Sequence, residues 1–297
     1  DDGSTDKTLM ILEEFAKNNE RIKIISQDNI GLTKSLAKGV SISKGKWIAR
    51  IDCDDLCEPN RFKDQYSYAI KNKCHLIGSY SKYISASNKF SKETKCPIIH
   101  KKLLKNLISQ KQFFAHSSSF FLKESALEIG NYRDTLKSAQ DYDLWLRFAE
   151  KYKIGCLPEV KVFLRKHSGS ISNINNGISQ KVDAHISLVS YFIRQKKNFQ
   201  DPLDPKLNYF IFFKEFVFKQ LSINNHIEYF QKKFEYDSIA FDKGFKLFRP
   251  LLKIIYLFRI FKSCKVRFLL IRRILFGSFI ASKIATKWTK YINDGCK

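Results

Sequence analysis

Three short runs gather side chains able to do chemistry. "DDGSTD" at residues 1–6 sets three carboxylates around a glycine and two hydroxyls. "IARIDCDDL" at 48–56 delivers Asp52, Asp54 and Asp55 at the end of an apolar, strand-like run. "SAQDYDLWLR" at 138–147 places Asp141 at the start of a helical pattern. Three carboxylates within four residues repel one another, and a divalent cation taking hard oxygen ligands neutralises them most cheaply. A cation held there can grip a diphosphate. Read alone, the cluster fits a solvated acidic turn equally well. A carboxylate at a helix start is stabilised by the macrodipole. It serves as a general base where a substrate proton lies within hydrogen-bond reach. The same spacing fits an ordinary acidic helix terminus, and Asp143 reads as a surface position.

These groups need elements to hold them. Leu9, Leu12 and Ala16 fall at helical spacing behind a Ser/Thr/Asp start signal, which predicts a helix over 5–16. "RIKIIS" at 21–26 reads as a short strand, 31–42 as a helix behind a glycine turn, and 47–51 as a buried strand. Pro59 predicts the first turn of another helix, with Phe62, Tyr66, Ala69 and Ile70 on its inner face. A strand over 75–83 follows, then helix, strand, helix and strand over 100–170, with the clearest helix at 141–152. A polar, loop-like stretch spans 168–180, and "DPLDP" at 201–205 is a natural boundary. Alternating strands and helices argue for an α/β sandwich with a mainly parallel sheet.

Taken together, "DDGSTDKT", "NIGLTKSLAKGVSISKGKWIARIDCDDLCEPNRF" and "SAQDYDLWLRFAEKYKIGCLPEVKVFLRKHSGSIS" occur in an order and spacing that resemble the family 2 glycosyltransferases. The resemblance covers roughly residues 1–175 and implies a GT-A fold and sugar transfer from a nucleotide-diphosphate donor. It implies that Asp2 lies near the nucleobase, that Gly3 and Ser4 shape that pocket, and that Asp6 caps the following helix. Asn29 and Gly31 match the segment lining the nucleotide pocket, with Lys34 and Arg50 as further donor-binding candidates. Asp52, Asp54 and Asp55 match the carboxylates that hold the ribose and a bridging Mg²⁺ or Mn²⁺, Asp54 being the first choice for metal. Asp141 matches the general base, although Gln140 stands where Glu is more usual. "FLRKHSGSIS" matches a closing segment in which Arg165 and His167 reach the diphosphate or metal and Ser170 supports them. His116 matches a histidine before the central strand, with a packing or acceptor-side role, and Trp145 reads as core or acceptor-site wall. The implied chemistry is metal-dependent single displacement with inversion, onto a carbohydrate or lipid-linked acceptor, in surface polysaccharide or lipopolysaccharide synthesis. The resemblance also implies a strand, loop, helix and strand ahead of Asp1, so the chain is expected to be a fragment lacking them.

Composition bounds the alternatives. At 297 residues and 44% hydrophobic, the chain can bury one large core or two smaller ones. The net charge of +24 is uneven: from Lys243 to Lys290 there are basic residues and no Asp or Glu. That end is expected to meet an anionic surface, preferably lipid head groups. Lys or Arg interrupts its apolar run too often for a membrane span. The expected location is cytoplasmic, with peripheral contact at the inner face of the cell membrane. No nucleic-acid motif accompanies the charge, and nucleic acid is not an expected partner. A non-catalytic sugar-nucleotide binder is the main rival reading. The seven cysteines show neither zinc spacing nor a disulfide framework and read as thiols. The expected organisation is a catalytic domain over 1–180, a connecting helix over 181–204, and a helical basic region over 205–297.

Overall fold

A computed structural model describes residues 1–85, 87–166, 174–207, 210–223 and 276–293. In chain order the elements are α1 (Thr8–Lys17), α2 (Leu32–Ile42), β1 (Trp47–Ala49), β2 (Leu56–Cys57), α3 (Arg61–Asn72), β3 (Leu76–Ser85), β4 (Phe90–Thr94) and α4 (His100–Ile108). They continue as β5 (Phe120–Leu122), α5 (Lys123–Glu128), α6 (Gln140–Lys151), β6 (Ile154–Lys166), α7 (Ile174–Arg194), α8 (Phe210–Ile223) and α9 (Phe276–Asn293).

The strands form one sheet in the order β1-β5-β3-β6-β2, with β4 added beside β3. β3 and β6 pair in parallel over their whole length. β5 runs antiparallel between β1 and β3, so β1, β3 and β6 point the same way. β2 and β4 are antiparallel to their neighbours. The sheet is therefore mixed rather than mainly parallel. Alternation of strand and helix along a sequence does not register a strand such as β5, which enters the sheet from an extended loop and runs backwards.

β3 is buried along its first half, as befits a central strand covered on both faces. At Gly78 a Cβ would stand 2.0 Å from the Phe114 ring, so only glycine admits that ring against the strand. No strand forms over 21–26; the segment meets the opening run through a single parallel bridge, Asp2 to Gln27. Residues 174–180, within the stretch expected to be loop, belong to α7.

α3 departs most from expectation. Its buried residues are Arg61, Gln65 and Ala69, while Phe62, Tyr66 and Ile70 are about half exposed, so only Ala69 of the expected inner face is buried. The reason is polar pairing. Arg61 Nη2 donates to the carbonyls of Arg50 (2.7 Å) and Ser119 (3.3 Å), and Gln65 Nε2 donates to the carbonyl of Ser118 (2.7 Å). These bonds, with that from Arg61 Nε to Gln65 Oε1 at 2.9 Å, offset much of the cost of burying the guanidinium, although its Nη1 makes no hydrogen bond among the described residues.

α6 lies at the centre. Asp141 and Asp143 occupy its first turn and Lys151 its last, which suits the helix dipole. Every residue from Asp143 to Ala149 is buried. Leu144, Leu146 and Phe148 join one core with Leu103 of α4, Phe121 of β5, Val189 of α7, Phe213 of α8 and Ile284 of α9. Each such Leu or Phe contributes roughly 1.5–3 kcal/mol on burial. Cys96 Sγ and Cys156 Sγ meet inside it at 3.1 Å as unbonded thiols.

Candidate active site

β1 ends at Ala49, and the chain passes through Arg50 into the acidic run. Arg50 is buried, its backbone N–H bonds the carbonyl of Ser119 at 3.0 Å, and its guanidinium forms a two-armed ion pair with Asp52. Carboxylate oxygens of Asp52, Asp54 and Asp55 all lie within 4.8 Å of one another. Such a set fits a single divalent cation taking one oxygen from each residue.

Ser117 ties the cluster together, and nothing in its own sequence context marks it. Its hydroxyl lies 2.9 Å from Asp52 Oδ2, contacts Asp55 Oδ2, and accepts from Arg50 Nη1 at 2.9 Å. A hydroxyl has one proton, so it serves one carboxylate at a time. Asp55 also accepts from the backbone N–H of Arg165 at 2.8 Å. Burial, reinforced by Asp54 and Asp52, raises the Asp55 carboxyl above the usual range against these two hydrogen bonds.

Arg165 reaches the cluster from β6 through its backbone N–H. Its Nε donates to the Asp54 carbonyl at 2.9 Å and its Nη1 to Asn88 Oδ1 at 2.7 Å, so it also secures the β3–β4 turn. His167 and Ser170 lie outside the described residues.

Asp141 sits on the second position of α6, its Oδ1 accepting from the Tyr142 N–H at 2.8 Å. Burial raises its carboxyl, opposed by the positive charge of Arg50 and aided by the negative charge of Asp52. The proposed base and the acidic cluster therefore lie within one another's electrostatic reach. His116 and Tyr132 belong to the same neighbourhood. They share a 2.7 Å hydrogen bond, and burial beside Arg50 pushes the imidazole well below its ordinary value and keeps it neutral. Trp145 closes this side, packing edge-on against His116 and against Phe113 and Phe114.

Asp143 is not a surface residue. It is fully buried, 2.7 Å from Arg147 and 3.6 Å from Arg133, and these cations hold its carboxyl below the usual range despite burial. Arg133 and Arg194 both pair with Asp201, which carries the network into the loop after α7. The i, i+4 spacing of Asp143 and Arg147 is the one sequence signal for it.

The opening run forms a separate corner. Asp2 accepts from Gln27 Nε2 (2.8 Å) and from the backbone N–H groups of Ile30 (3.0 Å) and Gly31 (2.9 Å). These bonds, that from Gln27 foremost, draw its carboxyl down to about 2. Gly3 has φ +78°, and a Cβ there would stand 2.9 Å from the Asn29 nitrogen. Asp6 Oδ1 accepts from the N–H of Thr8, the first residue of α1, at 2.9 Å; the N-cap position itself is Lys7, whose side chain makes no cap bond. Ser4 and Asn29 are exposed at this corner, and Lys34 is exposed on α2.

The sequence profile described as "Glycosyl transferase family 2" matches residues 1–130. An uncharacterized glycosyltransferase of Methanocaldococcus jannaschii is 30% identical over 206 residues, covering 67% of this chain and 69% of that protein. The chain belongs to glycosyl transferase family 2. Another member, the O-antigen biosynthesis glycosyltransferase WbnJ of Escherichia coli, is 34% identical over 136 residues, 46% of this chain and 52% of that protein. The chain thus spans about two-thirds of the first relative and half of the second. The crystal structure of S. aureus TarS 1-349 in complex with UDP-GlcNAc superposes with a TM-score of 0.53 at 16% identity, covering 98% of this chain and 81% of that one. The fold is accordingly of the GT-A type, with helices α7–α9 beyond the family match.

Proposed function

We propose that this family 2 member transfers a sugar from a nucleotide-diphosphate donor to an acceptor hydroxyl, with inversion at the anomeric carbon. The observation carrying this reading is that Asp52, Asp54 and Asp55 bring carboxylate oxygens within 4.8 Å of one another at the end of β1, with Arg50 gripping Asp52. The Asp141 carboxylate takes the acceptor proton as that oxygen attacks from the face opposite the nucleotide. Asp52, Asp54 and Asp55 hold Mg²⁺ or Mn²⁺, whose chemistry is to neutralise charge growing on the leaving diphosphate. Arg50 fixes Asp52 and keeps a positive charge near both carboxylate groups. Neutral His116 and Tyr132 shape the floor, and Trp145 the wall, of the acceptor side. Asp2, Gly3, Ser4, Asn29, Gly31 and Lys34 form the nucleoside side, with Arg165 toward the diphosphate; the role expected of His167 falls outside the described residues.

The names of relatives in O-antigen and amylovoran biosynthesis support a role in building surface polysaccharide on a carbohydrate or lipid-linked acceptor. No helix among the described residues is long and apolar enough to cross a membrane. Peripheral contact of the basic 243–290 region with the inner face of the cell membrane belongs to the same reading, and most of that region lies outside the described residues. The division at 180 and 204 belongs to the same reading, although 180 falls inside α7; α7–α9 act as a buttress for α6.

Incubation with UDP-, GDP- and dTDP-sugars and a hydroxyl acceptor, with and without Asp141→Asn, is the test. Transfer by the parent chain and only a small residual rate in the variant is expected. Donor binding without transfer by either would establish the non-catalytic rival, and no donor binding would remove both readings.

A further inference from the structure

The turn that launches α6 is strained. Ala139, the residue at its N-cap, adopts φ +54° and ψ +24°, a left-handed conformation that costs a non-glycine residue about 1–2 kcal/mol. No side chain of Ala139 caps the helix. Such conformations persist only where the surroundings impose them. The contacts on this turn come from α7, which like α6 lies beyond the residues of the family match. Asp183 is 1% exposed, and its Oδ2 accepts from both the backbone N–H (3.1 Å) and the hydroxyl (2.7 Å) of Ser138. Its Oδ1 is paired with Lys214 of α8 at 3.2 Å. One buried carboxylate thus grips the residue immediately before the strained one, three positions ahead of Asp141.

We propose that Asp183 is a positioning residue for the transfer reaction: acting from α7 through Ser138, it fixes the Ser138–Ala139 turn and hence the direction in which Asp141 enters the site. This rests on the reading of Asp141 as the base. Its own bond to the Tyr142 N–H orients the carboxylate on the helix, but the helix start is oriented by the turn. Loosening the turn allows the backbone to leave the left-handed region, carrying Asp141 away from the acceptor hydroxyl without touching the donor side. Misplacement on the ångström scale is enough to cost a large part of the rate.

The test uses the full chain with Ser138→Ala, which removes one of the two bonds and leaves the buried carboxylate paired with Lys214, and Asp183→Asn as a second variant. The expected result is a fall in kcat of roughly 10- to 100-fold with donor KM unchanged. Ser138→Thr, which keeps the hydroxyl, should restore kcat. In an Asp141→Asn background, Ser138→Ala should lower the residual turnover no further, because residues acting through one group are not additive. Unchanged kcat in folded variants, a loss matched by loss of folded protein, or additive losses in the double variant would each overturn the proposal. Turnover near the parent level in Asp141→Asn would remove the base reading and this inference with it. An inactive Asp141→Asn beside normal Ser138→Ala and Asp183→Asn would remove this inference alone.

Discussion

Arg61, buried beneath α3, donates 2.7 Å to the backbone carbonyl of Arg50, whose own guanidinium grips Asp52. Two arginines in series therefore connect the helix under the sheet to the acidic cluster. Replacing Arg61 by Met leaves the Arg50 carbonyl and the Gln65 amide oxygen without their donors and takes one of two donors from the Ser119 carbonyl, which keeps the Arg50 N–H. The expected cost is about 2–4 kcal/mol, read from the urea midpoint. Arg61→Lys should recover only part of it, since a single ammonium does not reproduce the guanidinium fork.

Asp141→Asn should lower transfer by roughly 10²–10⁴-fold, the usual worth of a positioned base. Donor affinity, measured by calorimetry, should stay near that of the parent chain. Loss of donor binding with loss of rate would move Asp141 to the nucleotide side.

The rate should depend on pH through the same residue. Burial raises the Asp141 carboxyl, and only its ionised form accepts a proton, so kcat falls as pH drops through the raised value. The acid limb is therefore expected above the ordinary aspartate value of about 3.9. Saturating Mg²⁺ keeps weakened metal binding by Asp52–Asp55 from mimicking the effect. A limb at or below the ordinary value would contradict the assignment.

Stability should also fall on acidification, through carboxyls shifted the other way. Asp143 and Asp201 are held below their ordinary values by Arg133, Arg147 and Arg194. Their contribution is present above the unfolded-state value, about 4, and is lost as pH falls through the folded-state values. Asp201→Asn should flatten the acid side of the melting-temperature profile, and an unchanged profile would leave the network no thermodynamic role.

Chelation with EDTA should stop transfer, and added Mg²⁺ or Mn²⁺ should restore it. Titrating Mn²⁺ into Asp54→Asn should show weaker binding than in the parent chain. Full activity in chelator would end the metal role of the cluster.

What the sequence made legible were the local signals. The acidic run, the start of α6 and the glycine turns each announce themselves within a few residues, and all are where they were expected. Position in space was harder. Apolar spacing on α3 pointed Phe62, Tyr66 and Ile70 inward because periodicity weighs side chains singly. It does not register that Arg61 and Gln65 meet carbonyls more than fifty residues away at Ser118 and Ser119. Ser117 was missed for the same reason, since a serine earns its role only when Asp52 and Asp55 arrive beside it. Asp143 was read as solvated because its partners Arg133, Arg147 and Arg194 span three separate segments of chain.

If the nucleoside binds where the proposed function puts it, the corner built on Asp2 bears on how tightly it is held. Two carboxylate oxygens offer about four acceptor positions, and three are already occupied by Gln27, Ile30 and Gly31. A loop stapled this way is rigid before any ligand arrives. Binding there forfeits little conformational entropy, so affinity at this corner is set by the fit of a preformed surface and not by the ordering of a floppy one.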